Sequence, residues 1–325
     1  MFGQRPSGLE SLLYRPPPTT WQLFLRNPCV FLAQAIYSWH LQRAGRIQER
    51  RCADEVSVVC LSDTHNMQCP VPDGDILIHA GDLTQSGTFD ELQATILWLR
   101  NQPHRAKLVI AGNHDLLLDN EYPSNGNLGG RHHSELEWGD VRYLQNSQTT
   151  VECANGRRLT IYGSPLSPRH GNWAFQYSRD QDIWAKRVPD DTDILVTHSP
   201  PRAHLDLGRL GCESLLRELW RVHPALHIFG HVHAGYGEEA AFFDEVQSAY
   251  ERTIIAGGGI CNLVRVLAAV AGQGRTPRPS ARLVNASIVG GLRDDERRKP
   301  MKVHLSRNVN EAASHGHPTQ VLAAF

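Results

Sequence analysis

No C-x-x-C pair occurs in this chain of 325 residues, and its seven cysteines are odd in number and widely scattered. That spacing argues against a disulfide scaffold and a cysteine-type zinc finger. Net charge is nearly absent: 33 Lys and Arg stand against 34 Asp and Glu, a balance that offers no chain-wide basic surface, so nucleic-acid binding is not expected. No unbroken apolar run reaches the roughly 18–20 residues of a membrane-spanning helix, and no small-residue cleavage site follows a charged start; neither a span nor a secretory leader is expected. There is no internal repeat. With 41% apolar and 21% charged residues the chain has material for a packed core, which excludes disorder throughout. What it holds in number is histidine, 17 in all, so imidazole rather than thiolate is the ligand it can offer a metal.

Three regions differ in texture. Residues 1–52 form an N-terminal extension, helical or partly disordered, with a Pro-rich opening and an apolar, aromatic stretch over 21–41 broken by Arg26, Asn27, Pro28, Gln34 and His40. It reads as a helix packed on the domain surface. The alternative is peripheral membrane contact through 21–41, with Phe24, Phe31 and Trp39 inserted and Arg26, Arg43 and Arg46 near headgroups. Residues 53–307 form the main domain, with an insert near 262–281, and the tail 308–325 is expected to be disordered. The expected location is cytoplasmic, with any membrane association peripheral, and the oligomeric state is open.

From Val56 onward, short β-rich runs stop at polar, glycine-containing turns. Val56–Leu61 ends at Ser-Asp, Asp75–Ala80 at Gly-Asp, Lys107–Ala111 at Gly-Asn-His-Asp, Asp193–Thr197 at His-Ser-Pro, and Ala225–Phe229 at Gly-His-Val-His. Continuous apolar runs suit strands buried on both faces, and the helical stripes between them (Phe89, Leu92, Ile96, Leu99; Leu215, Leu216, Leu219) predict layered α/β with the chemistry at the carboxyl ends of the strands. All five strands are expected in one sheet. Further strands are expected at Val141–Leu144, Leu159–Tyr162, Thr253–Ile255, Leu283–Asn285 and Lys302–His304, and loops at Asn120–Ser134 and Ala268–Ser280.

Taken singly, each strand-end motif has a bland reading: Asp63 as a turn former, His198 as a core histidine. Together, in order, they place two carboxylates, four imidazoles and one amide on a single rim, which is the composition of a binuclear metal site. Mixed O and N donors suit Mn²⁺, Fe, Zn²⁺ or Co²⁺, with manganese favoured, and the lack of thiolates argues against structural zinc. Two divalent ions need an anionic bridge, and one shared Asp is an economical one. His132 and His133 read as solvated, His79 and His227 as packed in strands. Arg169, His170 and Arg202 could flank a substrate, and Asn172–Phe175 could form an aromatic wall.

The set Asp63-x-His65, Gly81-Asp82, Gly112-Asn113-His114-Asp115, His198 and Gly230-His231-x-His233 resembles the calcineurin-like metallophosphoesterase superfamily over roughly residues 54–305. A narrower likeness, to the metallophosphoesterase-domain-containing (239FB-like) family, rests on Gly163-Ser164-Pro165, Asn172–Phe175, Thr197–Pro201, His227–Gly237 and Val284–Ser287. The resemblance implies a four-layer fold, two stacked mixed β-sheets flanked by helices. It implies one metal on Asp63, His65, Asp82 and His233 and a second on Asp82, Asn113, His198 and His231, with Asp82 bridging. It makes His114 the general acid, with Asp115 holding its ring. The implied reaction is in-line attack on phosphorus by a hydroxide between the metals. The substrate it implies is a small phosphodiester, such as a cyclic nucleotide: residues 83–87 lack the arginine that related protein phosphatases use to grip a dianionic monoester. Phosphomonoesterase activity and a non-catalytic protein-binding scaffold are the alternatives.

Overall fold

The computed structural model describes residues 19–43, 55–122, 131–273, 281–290 and 295–306. The Pro-rich opening and the tail 308–325 lie outside the described residues. The chain begins with α1 (Thr20–Arg26) and α2 (Pro28–Arg43), then β1 (Val56–Leu61), β2 (Ile76–Ala80), α3 (Phe89–Arg100), β3 (Ala106–Ile110) and β4 (Val141–Tyr143). It continues through β5 (Ser147–Glu152), β6 (Arg158–Ser164), the short β7 (Ser167–Pro168) and β8 (Gln176–Tyr177), β9 (Ile194–Thr197), α4 (Glu213–Val222) and β10 (Leu226–Phe229). Last come β11 (Gly237–Ala241), α5 (Glu245–Ile255), α6 (Ile260–Gly272), β12 (Ala281–Asn285), β13 (Val289–Gly290), β14 (Glu296–Arg297) and β15 (Met301–Leu305).

The five motif-bearing strands do not share one sheet. They divide between a five-stranded sheet, ordered β15-β1-β2-β3-β4, and a six-stranded sheet, ordered β11-β12-β10-β9-β6-β5. Within each, four neighbouring strands run parallel: β1, β2, β3 and β4 in one, and β6, β9, β10 and β12 in the other. The division follows from side-chain alternation. In β1, Val58 and Cys60 point inward and meet Ile161, Val196, Ile228 and Val284 of the facing sheet, while Val59 and Leu61 point outward. A run that is apolar at every position therefore has two faces to cover, and a second sheet covers one of them.

Helices cover the outer faces, giving four layers. On α3 a capping box between Thr88 and Glu91 starts the helix, and Phe89, Leu92, Ile96 and Leu99 form its buried stripe against the first sheet. Truncating one of these, as in Leu92→Ala, costs about 2–5 kcal/mol. On the second sheet α4 buries Leu215 and Leu219 and ends at His223, whose φ of 52° breaks the helix.

Two segments differ from expectation. Thr253–Ile255 is the last turn of α5, because Asp244 caps the helix and Val246, Tyr250 and Ile254 repeat at helical spacing. A three-residue β-branched run does not outweigh that pattern. Residues 268–272, expected in a loop, belong to α6, since the glycine and proline signals begin only at Gly272. Gln273 caps the helix, and residues 274–280 lie outside the described residues. Helix α2 packs on α5 and α6, where Ala33 and Tyr37 join Val246, Tyr250, Ile254 and Val266 in a small core of their own. Tyr37 stacks on Tyr250 with ring centroids 4.0 Å apart.

Candidate metal centre

Because β1, β2 and β3 are parallel, their carboxyl ends lie along one edge, and those of β9 and β10 do the same in the facing sheet. An isolated bridge from Ser62 to Ser287 ties the two edges together. The turns beyond the strands are tight: Asp63, His65, Asp82 and His231 have φ of 53°, 45°, 52° and 65°. Non-glycine residues seldom occupy this region, and it is held here by the packing around it. The glycines beside them have a steric reason. A Cβ on Gly112 would run into the Asp82 carboxylate, and one on Gly230 into Ser62 and Asp63.

The side chains form three groups whose ligand atoms lie within 4.8 Å of one another: Asp63, His65 and His233; His65, Asp82 and His114; and Asp82, His198 and His231. Asp82 and His65 each belong to two of them. His198 Nε2 is 3.4 Å from Asp82 Oδ2 and 3.0 Å from Asn113 Oδ1. His65 Nε2 is 3.8 Å from Asp82 Oδ2. The outward nitrogens are engaged elsewhere: Nδ1 of His65 faces the Thr84 carbonyl at 3.3 Å and Nδ1 of His198 faces the Ala80 carbonyl at 3.0 Å. Donation from Nδ1 leaves each Nε2 as a lone pair turned into the site, the usual posture of a metal-bound histidine.

The donor set fits divalent metal. His65 Nε2 and His233 Nε2 face each other at 3.4 Å, with Asp63 Oδ1 3.2 Å from the latter. One proton can satisfy only part of that convergence, and a cation satisfies all of it. The electrostatics agree. Burial opposes charge on Asp63, but His233, His198 and His65 hold its carboxyl well below the ordinary range, and on Asp82 burial is likewise outweighed by His198 and then His65. Burial would also lower His198, yet Asp82 raises it to about 9. Burial lowers His65, and it takes His231 down to about 3. Two buried carboxylates thus set up a field that favours positive charge at this point, which a cation can supply.

Sequence comparison decides the family. The calcineurin-like phosphoesterase model matches residues 56–235, the stretch that carries all the candidate ligands. The chain belongs to the calcineurin-like phosphoesterase family. Within it the likeness is to the metallophosphoesterase-domain-containing branch. Metallophosphoesterase domain-containing protein 1 of Homo sapiens is 39% identical over 203 residues, 55% of this chain and 61% of that protein. A UPF0046 protein of Caenorhabditis elegans is 39% identical over 198 residues, 56% of this chain and 65% of its own length. A protein of Emericella nidulans named probable rhamnogalacturonate lyase C is 43% identical over 309 residues, 91% of this chain and 29% of that protein. The chain therefore spans less than two thirds of each of these relatives.

The phosphoesterase residues do not all act as the sequence suggested. Asp115 does not hold the His114 ring. It is fully buried and accepts from the backbone N–H groups of Gly112 (2.8 Å), Leu83 (3.2 Å) and Thr84 (3.0 Å) and from the Thr84 hydroxyl (2.8 Å), tying together the loops that carry Asn113 and Asp82. The His114 ring faces the Gln85 carbonyl through Nδ1 at 2.8 Å and stacks on Trp173. A neighbour in sequence points its side chain the other way, so adjacency misled. Arg169 and His170 are exposed and Arg202 half-buried; among the described residues no hydrogen bond or ion pair joins them to the ligands. His132 is exposed and His133 partly so.

Three supports escaped the sequence reading. Ser287 donates to Asp63 Oδ2 at 2.8 Å. His79 and His227 are buried as expected, but each also meets a threonine beside a ligand: His79 Nε2 lies 3.0 Å from Thr64 Oγ1 and His227 Nε2 lies 2.8 Å from Thr197 Oγ1. Burial takes both rings down to about 3, so they are neutral at physiological pH. Histidine inside an apolar strand just ahead of a ligand-bearing turn was the available signal.

Proposed function

We propose that the chain is a metal-dependent phosphodiesterase acting on a small diester of cyclic-nucleotide size, with two divalent ions as cofactors and manganese as the favoured metal. The observation that carries this reading is the sharing of Asp82 between two ligand groups, one with His65 and His114 and one with His198 and His231. Asp63, His65, Asp82 and His233 would hold one ion, and Asp82, Asn113, His198 and His231 the other. When bound, such a pair acidifies water, polarises phosphoryl oxygens and offsets charge growing on them.

The protein's own groups supply the proton. With Nδ1 of His114 donated to the Gln85 carbonyl, Nε2 is the atom left to protonate a departing oxygen. Such aid contributes about 10²–10⁴-fold. Trp173, 38% exposed, lies against the same ring and offers a flat surface beside it, suited to a nucleobase or other planar leaving group.

Residues 83–87, Leu-Thr-Gln-Ser-Gly, support a diester over a monoester. They hold no cation, and the Thr84 carbonyl and hydroxyl and the Gln85 carbonyl are already engaged by His65, Asp115 and His114. A diester carries one negative charge fewer and needs one counter-charge fewer. The lyase name belongs to a protein of which this chain spans 29%, and the ligand set favours phosphoester hydrolysis instead.

The test is hydrolysis of bis-p-nitrophenyl phosphate and of p-nitrophenyl phosphate after chelation and after Mn²⁺ is restored. Metal-dependent turnover that favours the diester is expected. Turnover of the monoester alone would move the reading to a phosphomonoesterase, and none on either would leave a binding scaffold.

A further inference from the structure

We propose that α1 and α6 together form a surface that docks in the plane of an anionic lipid bilayer. It contains none of the residues of the metal centre, and the inference stands apart from the phosphodiester reading.

Helix α1 is closed by a capping box between Thr19 and Gln22, yet it buries none of its residues, and Trp21 and Leu25 are 72% and 73% exposed. Seven residues make a marginal helix in water, and an apolar one gains stability by covering its side chains. Helix α6 fully buries only Val266. Its Leu263, Val266 and Val270 face the core shared with α2 and α5. Ile260, Val264 and Leu267, at i, i+4 and i+7, form a second stripe and are 75%, 55% and 51% exposed.

The two helices adjoin. Asn27, the C-cap of α1, donates through Nδ2 to the Gly257 carbonyl at 2.8 Å, and Gly258 approaches Asn27 so closely that a Cβ there would press on its side chain. Leu25 and Ile260 therefore lie within a few residues of one junction.

Charge names the occupant. Residues 19–43 and 256–273 contain no Asp or Glu, although the chain has 34 of them, and their only formal charges are Arg26, Arg43 and Arg265. An apolar face dotted with arginine alone suits acyl chains below and phosphate headgroups around. A second copy of this chain fits poorly, since a twofold contact would set the arginines of α1 and α6 against one another while neither helix carries a carboxylate, and Glu245 of α5, which shares a groove with Arg265, shares it with Arg252 as well. No described helix is long and apolar enough to cross a membrane, so the contact is peripheral.

The experiment is co-sedimentation of the full chain with vesicles of phosphatidylcholine alone and of phosphatidylcholine with phosphatidylserine. Binding to the phosphatidylserine vesicles that weakens with added salt is expected. Leu25→Glu, Ile260→Glu and Leu267→Glu combined should cut it roughly a hundredfold or more. Arg26→Gln and Arg265→Gln should cost about fivefold each on phosphatidylserine vesicles and little on phosphatidylcholine. All three variants should keep the parent's thermal midpoint, showing that the fold is intact. No binding by the parent chain, or equal binding by the glutamate variant, overturns the proposal. A parent dimer that the glutamate substitutions split assigns the face to a second copy and overturns it as well.

Discussion

The rings of His114 and Trp173 lie face to face, 4.2 Å between centroids and 30° between planes, while Nδ1 of the histidine is committed to the Gln85 carbonyl. Ring direction is set by these two contacts, and both can be tested through the leaving group. His114→Ala should keep its metals, lose about 10²–10⁴ in turnover on a diester with a poor leaving group, and lose much less with p-nitrophenolate, which departs without a proton. Trp173→Ala should show the same leaving-group pattern on a smaller scale, roughly tenfold. His114 also sits within reach of His65 and Asp82. Equal losses on both leaving groups together with a missing metal would make His114 a ligand.

Asp82→Asn removes the one negative charge common to two ligand groups. Bound metal should fall to one ion or none, and turnover should fall by more than the roughly 10–100-fold that losing a supporting partner costs. Elemental analysis beside a rate measurement decides it. Two ions at near-normal rate would take the bridge away from Asp82.

Asp115→Ala strands three buried backbone donors at once. The expected cost is roughly 2–4 kcal/mol of folding stability. Denaturant unfolding measures that cost. The activity that survives should keep the parent's dependence on leaving group, because the carboxylate acts on the loops and not on the His114 ring. A leaving-group pattern like that of His114→Ala would restore the orienting role.

His204 gives a pH dependence away from the metals. It is fully buried, with Nδ1 2.9 Å from Glu239 and Nε2 2.8 Å from Glu251. Burial alone would lower it, but the two carboxylates, Glu239 first, raise it to about 10. The folded value lies above the unfolded value near 6.5, so the charged ring stabilises the fold fully below about pH 6.5, and that stability is lost as pH rises through about 10. The urea midpoint of the parent should fall across this window. His204→Gln should cost roughly 3–5 kcal/mol near neutral pH and show a flatter profile there. An unchanged slope in the variant would assign the dependence to another group.

The alternation of apolar runs with glycine-containing turns was enough to read strands buried on both faces, the outer helices α3 and α4, and all seven ligand candidates at the strand ends. These features depend on local periodicity and on turn chemistry, which a few consecutive residues specify. The division of the five motif-bearing strands between two sheets, the helical end of α5 and the docking of α2 on Tyr250 were decided by long-range packing. The same holds inside the site. His65 and His233 meet across 168 residues of chain, and Ser287 reaches Asp63 across 224. Asp115, next to His114 in sequence, turns away to hold backbone from another loop, while Gln85 and Trp173 hold the ring. Residue type and strand position give the inventory of a metal centre; the direction of each side chain is set by neighbours that only the folded chain brings together.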